Sequence, residues 1–512
     1  MSSGRRRICC SRFFRVMLAC GTLFASHVSV ADNQGAADPR IRRVETGLLP
    51  ITATKDRMGS RVDIRERMRA FGVPGLSVAV INDSRIAWAK GYGLADSRTG
   101  RAVTTDTLFQ AASISKPLTG LAALALVQSE KLSLDGDVNQ WLKTWKVPDN
   151  NFTRAHKVTL RLLLNHSAGV ADIAFPGHDP DQPTPTLLQV LNGEPPATNP
   201  PITIDSLPGS RYSYSRAGYD ILQQLLMDVS GEPFESLMEA EVLSPLGMLH
   251  SSFRQPLPAS LMRIAARGHY AGGEPIPAKF RTPEMAMAGL WSTPSDLARY
   301  LVDIQRTYRG AISTPIGPAL TKEMLTPSKG NRGLGPVISG KGATARFGHD
   351  GFNEGFESSM VGYISRGQGA VVMANSGFSF MLIKEVLDSI ARAYEWPRYD
   401  STNQWPPDAS MEQQEILTVP SDLIAASVGN YRLDADHTMQ LTERGKHLFI
   451  DWPDDGEAEV FATPGGRLFC PQLIFSDFGS PWLRFVRADT GGKRVIKILA
   501  ADDGSQAFLR LN

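Results

Sequence analysis

Near position 400 the chain changes its pattern, and that change limits its possible folds more than any single motif. Pro397, Pro406 and Pro407, with polar neighbours, interrupt the text over 396–408, directly after a helical stretch at 381–394. Ahead of the break, strand-like and helix-like segments alternate. Two β-rich runs at 76–81 and 86–89, joined across Asn82-Asp83-Ser84, predict a hairpin. The run 118–127 is apolar nearly all round and predicts a buried helix ending near Lys131. Amphipathic helices are expected at 219–229 and 294–306, and strands at 357–365 and 369–374. Between Pro176 and Pro208 prolines are frequent and no period persists, which predicts a long surface loop of the kind that borders a cleft. Beyond about Ser421 short alternating runs (439–441, 447–452, 473–475, 483–487, 495–499 and 507–511) are separated by glycine-bearing turns. A strand and turn every 8–12 residues or so is the spacing of an antiparallel barrel or sandwich.

The N-terminus has its own grammar. Arg5, Arg6, Arg7, Arg12 and Arg15 precede an uncharged run, 16–30, that closes on Ser29-Val30-Ala31. This is the three-part pattern of a cleavable secretory signal peptide, and the run is short for a membrane span. The expected location is the periplasm or the exterior. Cleavage after Ala31 removes five arginines and no acid, so the formal charge of +2, from 54 basic and 52 acidic residues, becomes slightly negative. A charge so balanced and scattered predicts no nucleic-acid partner. Cys9, Cys10 and Cys20 lie in the leader and leave Cys470 alone. An intrachain disulfide or a thiolate metal cluster is therefore excluded downstream, and the fold must be held by its core. No later run approaches the ~18 consecutive apolar residues of a membrane helix, so no stable membrane span is expected after cleavage. The expected organisation is a signal peptide at 1–31, a tether at 32–59, an α/β region at 60–395, a linker at 396–420 and a small all-β domain at 421–512.

Ser113-Ile114-Ser115-Lys116, at the start of the predicted buried helix, is the one Ser-x-x-Lys in the chain. Positions i and i+3 share a helix face, so the Lys116 amine can reach the Ser113 hydroxyl. Pro117 suits a first helical turn, where its missing N–H has no partner to lose. A buried amine can take a serine proton at neutral pH and turn a poor nucleophile into a good one. Taken alone, the same four residues read as a helix cap followed by a surface lysine.

The surrounding blocks decide between these readings. Val73-Pro74-Gly75-Leu76-Ser77-Val78-Ala79-Val80, the stretch 107–117 around Ser113, Leu132-Ser133-Leu134-Asp135, Leu162-Leu163-Leu164-Asn165-His166-Ser167-Ala168-Gly169, Tyr214-Ser215-Arg216-Ala217-Gly218-Tyr219, Pro245-Leu246-Gly247-Met248, 289–297 and Gly348-His349-Asp350-Gly351 occur in order. Together they resemble the serine β-lactamase-related family, which includes class C β-lactamases, low-molecular-weight penicillin-binding proteins, D-aminopeptidases and related esterases. The resemblance spans about 60–395. It implies a mixed α and β fold of the β-lactamase/transpeptidase type: an antiparallel sheet flanked by helices, with an all-helical lobe. The region 421–512 resembles the small lipocalin-like barrels appended to some members. Such a barrel either shapes substrate access, or makes contacts between copies in a homo-oligomer, or is a passive stabilising module.

The resemblance further implies that Ser113 is acylated with Lys116 as its base, while Tyr214 relays protons to and from the leaving group. Neighbouring cations must then favour the phenolate, since a free phenol titrates near pH 10. Tyr212 is the alternative one register step away. His349 falls on the strand that carries Lys-Thr-Gly or His-x-Gly in relatives, with Gly351 lining the substrate path, and backbone N–H groups of Ser113 and Phe352 form the oxyanion hole. Taken singly, His349 reads as a structural histidine, and His166 reads as packing. Arg216 replaces the asparagine of many relatives and is expected either to act on Lys116 or to bind a substrate carboxylate. The nine histidines form no His-x-His or His-Glu-x-x-His pair, so neither a metal nor another cofactor is expected. A Gly-x-Ser-x-Gly elbow and a phosphate loop are also missing. The expected partner is a small-molecule or peptide substrate carrying an amide or ester bond. The alternatives are a penicillin-binding sensor that acylates without rapid turnover, and an inactive scaffold.

Overall fold

A computed structural model describes residues 38–511 except 174–176, 178–182, 271, 277–281, 312–314, 398, 400–413, 433–437, 453–455, 471–481, 491–492 and 500–506. The expected leader and the first positions of the tether lie outside the described residues, as do most of the expected linker and the run 473–475.

Seven antiparallel strands form the central sheet. Across it the order is Arg101–Ala102, Arg85–Asp96, Gly75–Asn82, Gly369–Ala374, Phe356–Tyr363, Arg346–Asn353 and Val337–Ser339. Gly75–Asn82 and Arg85–Asp96 form the expected hairpin. Asp83 and Ser84 take φ of 53° and 55°, the left-handed backbone that a tight two-residue turn demands. Alternation along Gly75–Asn82 distributes its side chains between two cores. Leu76, Val78 and Val80 join Val372 of the neighbouring strand and Val386 and Ile390 of the helix Phe380–Ala393. Ala79 and Ile81 join Val371 of that strand and Leu297 and Leu301 of the helix Pro294–Tyr308 on the opposite face. Each fully buried leucine, valine or isoleucine contributes about 1.5–3 kcal/mol, which is why the strand is apolar at nearly every position.

Thr293 starts the Pro294–Tyr308 helix: its hydroxyl accepts the Asp296 N–H at 3.1 Å, and Pro294 fills the first turn. Thr293→Ala is expected to lower stability by about 1 kcal/mol. Urea denaturation followed by circular dichroism measures this, and an unchanged midpoint contradicts it.

The helix Ser115–Gln128 is buried from Ser115 to Leu126 and forms the axis of the helical lobe, as its unbroken apolar text requires. Ala217–Ser230 packs beside it and stops at Gly231, whose φ of 74° supplies the left-handed cap. One expectation needs correcting. The proline-rich stretch 176–208 contains the helix Leu187–Asn192, opened by a capping box between Thr186 and Gln189. Six residues are too few to show a period among prolines, so only the cap could have announced it.

The C-terminal region closes into an eight-stranded antiparallel barrel, Gly429–Arg432 pairing with both Thr438–Arg444 and Ala507–Leu511. Met439, Leu441, Leu448, Ile450 and Val460 fill its interior, two residues apart along each strand. Cys470 is buried there as a free thiol. Among the described residues no helix is long and apolar enough to cross a membrane, and no group of three His, Cys, Asp or Glu side chains could hold a metal ion.

Candidate active site

Ser113 lies in a single 3-10 turn, Ala112–Ile114, that leads into the Ser115–Gln128 helix. Ala112 takes φ of 49°, a left-handed conformation rare for alanine, and it holds because both flanks are tied down. On one side the Ala111 N–H donates to the Leu290 carbonyl, and the Ser115 hydroxyl bridges the Ala112 carbonyl and the Leu290 N–H. On the other side the Ser358 hydroxyl donates to the Ala111 carbonyl. Gly351 packs against that same carbonyl so closely that a Cβ there would lie 2.2 Å from it. Gly351 thus brings the Arg346–Asn353 strand, and with it the Gly351–Phe352 peptide, against the turn. The Phe352 ring is 48% exposed.

One helical turn carries Lys116 back onto Ser113. Its Nζ donates to Ser113 Oγ at 2.9 Å and to the Met287 carbonyl at 2.9 Å, and the residue is wholly buried. The Tyr214 hydroxyl lies 3.1 Å from Ser113 Oγ. Burial alone would raise the Tyr214 pKa, yet the Lys116 charge, hydrogen bonds from Lys116 and Ser113, and the Arg332 charge together hold it below the ordinary phenol value. Tyr212 behaves oppositely: burial keeps its phenol above 10, although its oxygen accepts from Arg332 Nη2 at 2.9 Å. Of the two candidate tyrosines, Tyr214 is therefore the one placed on Ser113.

His349 is buried, with its Nδ1–H on the Asp350 carbonyl at 2.6 Å and its Nε2 facing Arg332 Nη1 at 3.5 Å. Burial, then Arg332 and Lys116, push its pKa well below 6.5, so it is a neutral ring at neutral pH. Strand alternation turns Asp350 the other way, onto the Ser359 hydroxyl.

Arg216 departs from expectation. As the cap of the Ala217–Ser230 helix, it aims its guanidinium at Asp172, with Nε and Nη2 at 3.0 and 2.8 Å from one carboxylate oxygen. Besides Lys116, whose Nζ is 5.1 Å from the Tyr214 ring centre, the cation over the phenol is Arg332, with its guanidinium carbon at 5.5 Å. Arg332 is buried, and its Nε has no partner among the described residues. A left-handed pair, Gly330 and Asn331, folds the loop over Tyr212 and turns Arg332 inward; a Cβ on Gly330 would strike that ring at 2.4 Å. No motif marks Arg332; Gly330, Asn331 and Gly333 beside it are the local signs of a special backbone.

Residues 62–393 match the family model described as Beta-lactamase. The chain belongs to the beta-lactamase family. Among curated relatives it is 26% identical over 226 residues to Protein flp of Staphylococcus aureus (strain N315), covering 44% of this chain and 42% of that one. To Esterase EstB of Burkholderia gladioli it is 29% identical over 230 residues, covering 42% and 55%. The chain thus spans about half the length of these family relatives. The structure of the octameric penicillin-binding protein homologue from Pyrococcus abyssi superposes with a TM-score of 0.57 at 20% identity, over 87% of this chain and 98% of that one. That likeness carries the fold.

Proposed function

We propose that the protein is an exported serine hydrolase that cleaves an amide, peptide or ester bond through an acyl-enzyme. The observation that carries this reading is the triangle in which Lys116 Nζ and the Tyr214 hydroxyl both reach Ser113 Oγ, at 2.9 and 3.1 Å. Ser113 Oγ attacks the carbonyl carbon while its proton passes to the Lys116–Tyr214 pair, which holds one labile proton as a unit. The oxyanion faces the backbone N–H groups of Ser113 and Phe352. Tyr214 then protonates the departing amine or alkoxide as the tetrahedral intermediate collapses. Water attacks the ester in the second half, gives its proton to the same pair, and Ser113 recovers it on release of the acid. His349, held neutral, shapes this wall without adding charge, and Arg332 supplies the permanent cation.

Incubation with a nitrophenyl ester and a D-alanyl anilide, followed by intact-mass analysis, tests the reading. Turnover with a transient acyl adduct mapped to Ser113 is expected. Absence of both turnover and adduct with every substrate, including a fluorescent penicillin, defeats it; a stable adduct without turnover supports the sensor instead. Arg332→Gln is expected to move the acid limb of kcat/KM upward by about one to two pH units, because a charge 5.5 Å away at an effective dielectric near 20 is worth about 3 kcal/mol before screening. A pH profile on a neutral ester measures this, and an unmoved limb removes Arg332 from the chemistry.

A further inference from the structure

Tyr214 is pinched by a single residue. The Ser213 N–H, just before Tyr214, donates to the His166 carbonyl at 2.9 Å, and the Ser215 N–H, just after it, donates to His166 Nδ1 at 3.2 Å. Between these two bonds the His166 ring stacks on the phenol, with centroids 4.4 Å apart and planes inclined by 29°. Three consecutive residues are thus fixed by one. His166 holds both bonds at φ 58°, a left-handed conformation that His, like Asn and Asp, adopts more often than most residues. It does so where it closes the helix Leu160–Leu164, with the His166 and Ser167 N–H groups returning to the Leu163 and Leu162 carbonyls. We propose that His166 is a positioning residue for Tyr214, a neutral clamp that keeps the phenol oxygen on Ser113 throughout the cycle.

Two further observations agree. Because Nδ1 accepts from Ser215, the neutral ring carries its proton on Nε2, and that buried N–H has no partner among the described residues, so the imidazole is not held there by a hydrogen bond on its far side. The groups facing the ring also oppose a second proton. Burial acts first, then the charges of Arg332 and Lys116, and the rings of Tyr212 and Tyr219 flank the imidazole on other sides. A protonated Nδ1 would meet the Ser215 N–H donor to donor and release the clamp.

The proposal rests on Tyr214 acting as the proton relay, so Tyr214→Phe is the reference. His166→Asn keeps a residue at ease with positive φ and an acceptor for Ser215 but removes the ring; His166→Phe keeps the ring and removes the acceptor. Each variant is expected to retain the wild-type circular dichroism spectrum, lose at least about tenfold in kcat and change KM by less than about threefold. Combined with Tyr214→Phe, neither is expected to lower kcat further, because there is no phenol oxygen left to position. Wild-type kcat in both His166 variants overturns the proposal, and so does a loss that adds in full on the Tyr214→Phe background. If Tyr214→Phe alone keeps wild-type turnover, the relay reading fails instead, which the His166 variants cannot mimic. Should one His166 variant fail to fold, the other carries the comparison.

Discussion

Ser113→Ala is expected to reduce kcat/KM on a nitrophenyl ester by about 10⁴-fold or more and to abolish the acyl adduct, while the denaturation midpoint stays close to that of the wild type. The hydroxyl is the one group that both Lys116 Nζ and the Tyr214 oxygen address, and Met287 alone cannot occupy the pair. Removing it leaves a base with nothing to activate, and the surviving rate comes from binding and the oxyanion donors. Lys116→Met retains most of the buried stem while deleting the amine, and a loss of about 10³-fold or more is expected. The informative variant is the double substitution. Residues that act as a unit lose their contribution together, so Ser113→Ala with Lys116→Met is expected to be no slower than Ser113→Ala alone. Steady-state kinetics with intact-mass detection measures all three. A further drop in the double variant, or turnover surviving in Ser113→Ala, would mean that the reaction runs through another nucleophile.

What the amino-acid sequence makes legible follows the range of the interaction. Ser113 and Lys116 are one helical turn apart, so local periodicity alone brings amine to hydroxyl. The strand Gly75–Asn82 is legible for a similar reason: a run apolar at nearly every position must be covered on both faces, and it is. Arg216 misleads because it adjoins Tyr214 in the chain. The helix starting at Ala217 sets its guanidinium on Asp172, a pairing that adjacency to Tyr214 does not announce. Arg332 lies more than a hundred residues from Tyr214, in a loop whose conformation depends on packing over Tyr212, and no periodicity encodes that. The left-handed backbone of Ala112 is equally silent, since alanine does not advertise positive φ and tertiary hydrogen bonds on both flanks impose it, whereas His166 takes its positive φ locally, where it closes the helix Leu160–Leu164. His166 reads as packing from sequence; its bonds to both neighbours of Tyr214 appear only when the segments meet.

Gly351→Ala is expected to cost about 10²-fold in kcat together with about 1–3 kcal/mol of stability. The added methyl would lie 2.2 Å from the Ala111 carbonyl oxygen and 2.5 Å from Ser358 Oγ. Ser358 can rotate, but the carbonyl cannot withdraw: the Ala111 N–H is bound to Leu290, and the next residue already holds a strained φ. The strand must therefore retreat from the turn. Its retreat separates the Phe352 N–H from the Ser113 N–H, and a displacement of about 1 Å at such donors is enough to lose two orders of magnitude. KM should change less than kcat, because the loss falls on the transition state. Gly465→Ala is the control. Nothing lies within 4 Å of its new methyl and its φ is not in the left-handed region, so both activity and stability should hold. Kinetics and urea denaturation of the two variants separate the outcomes. Wild-type kcat in Gly351→Ala would show that the strand's approach to Ala111 serves packing alone, and that the oxyanion is stabilised elsewhere.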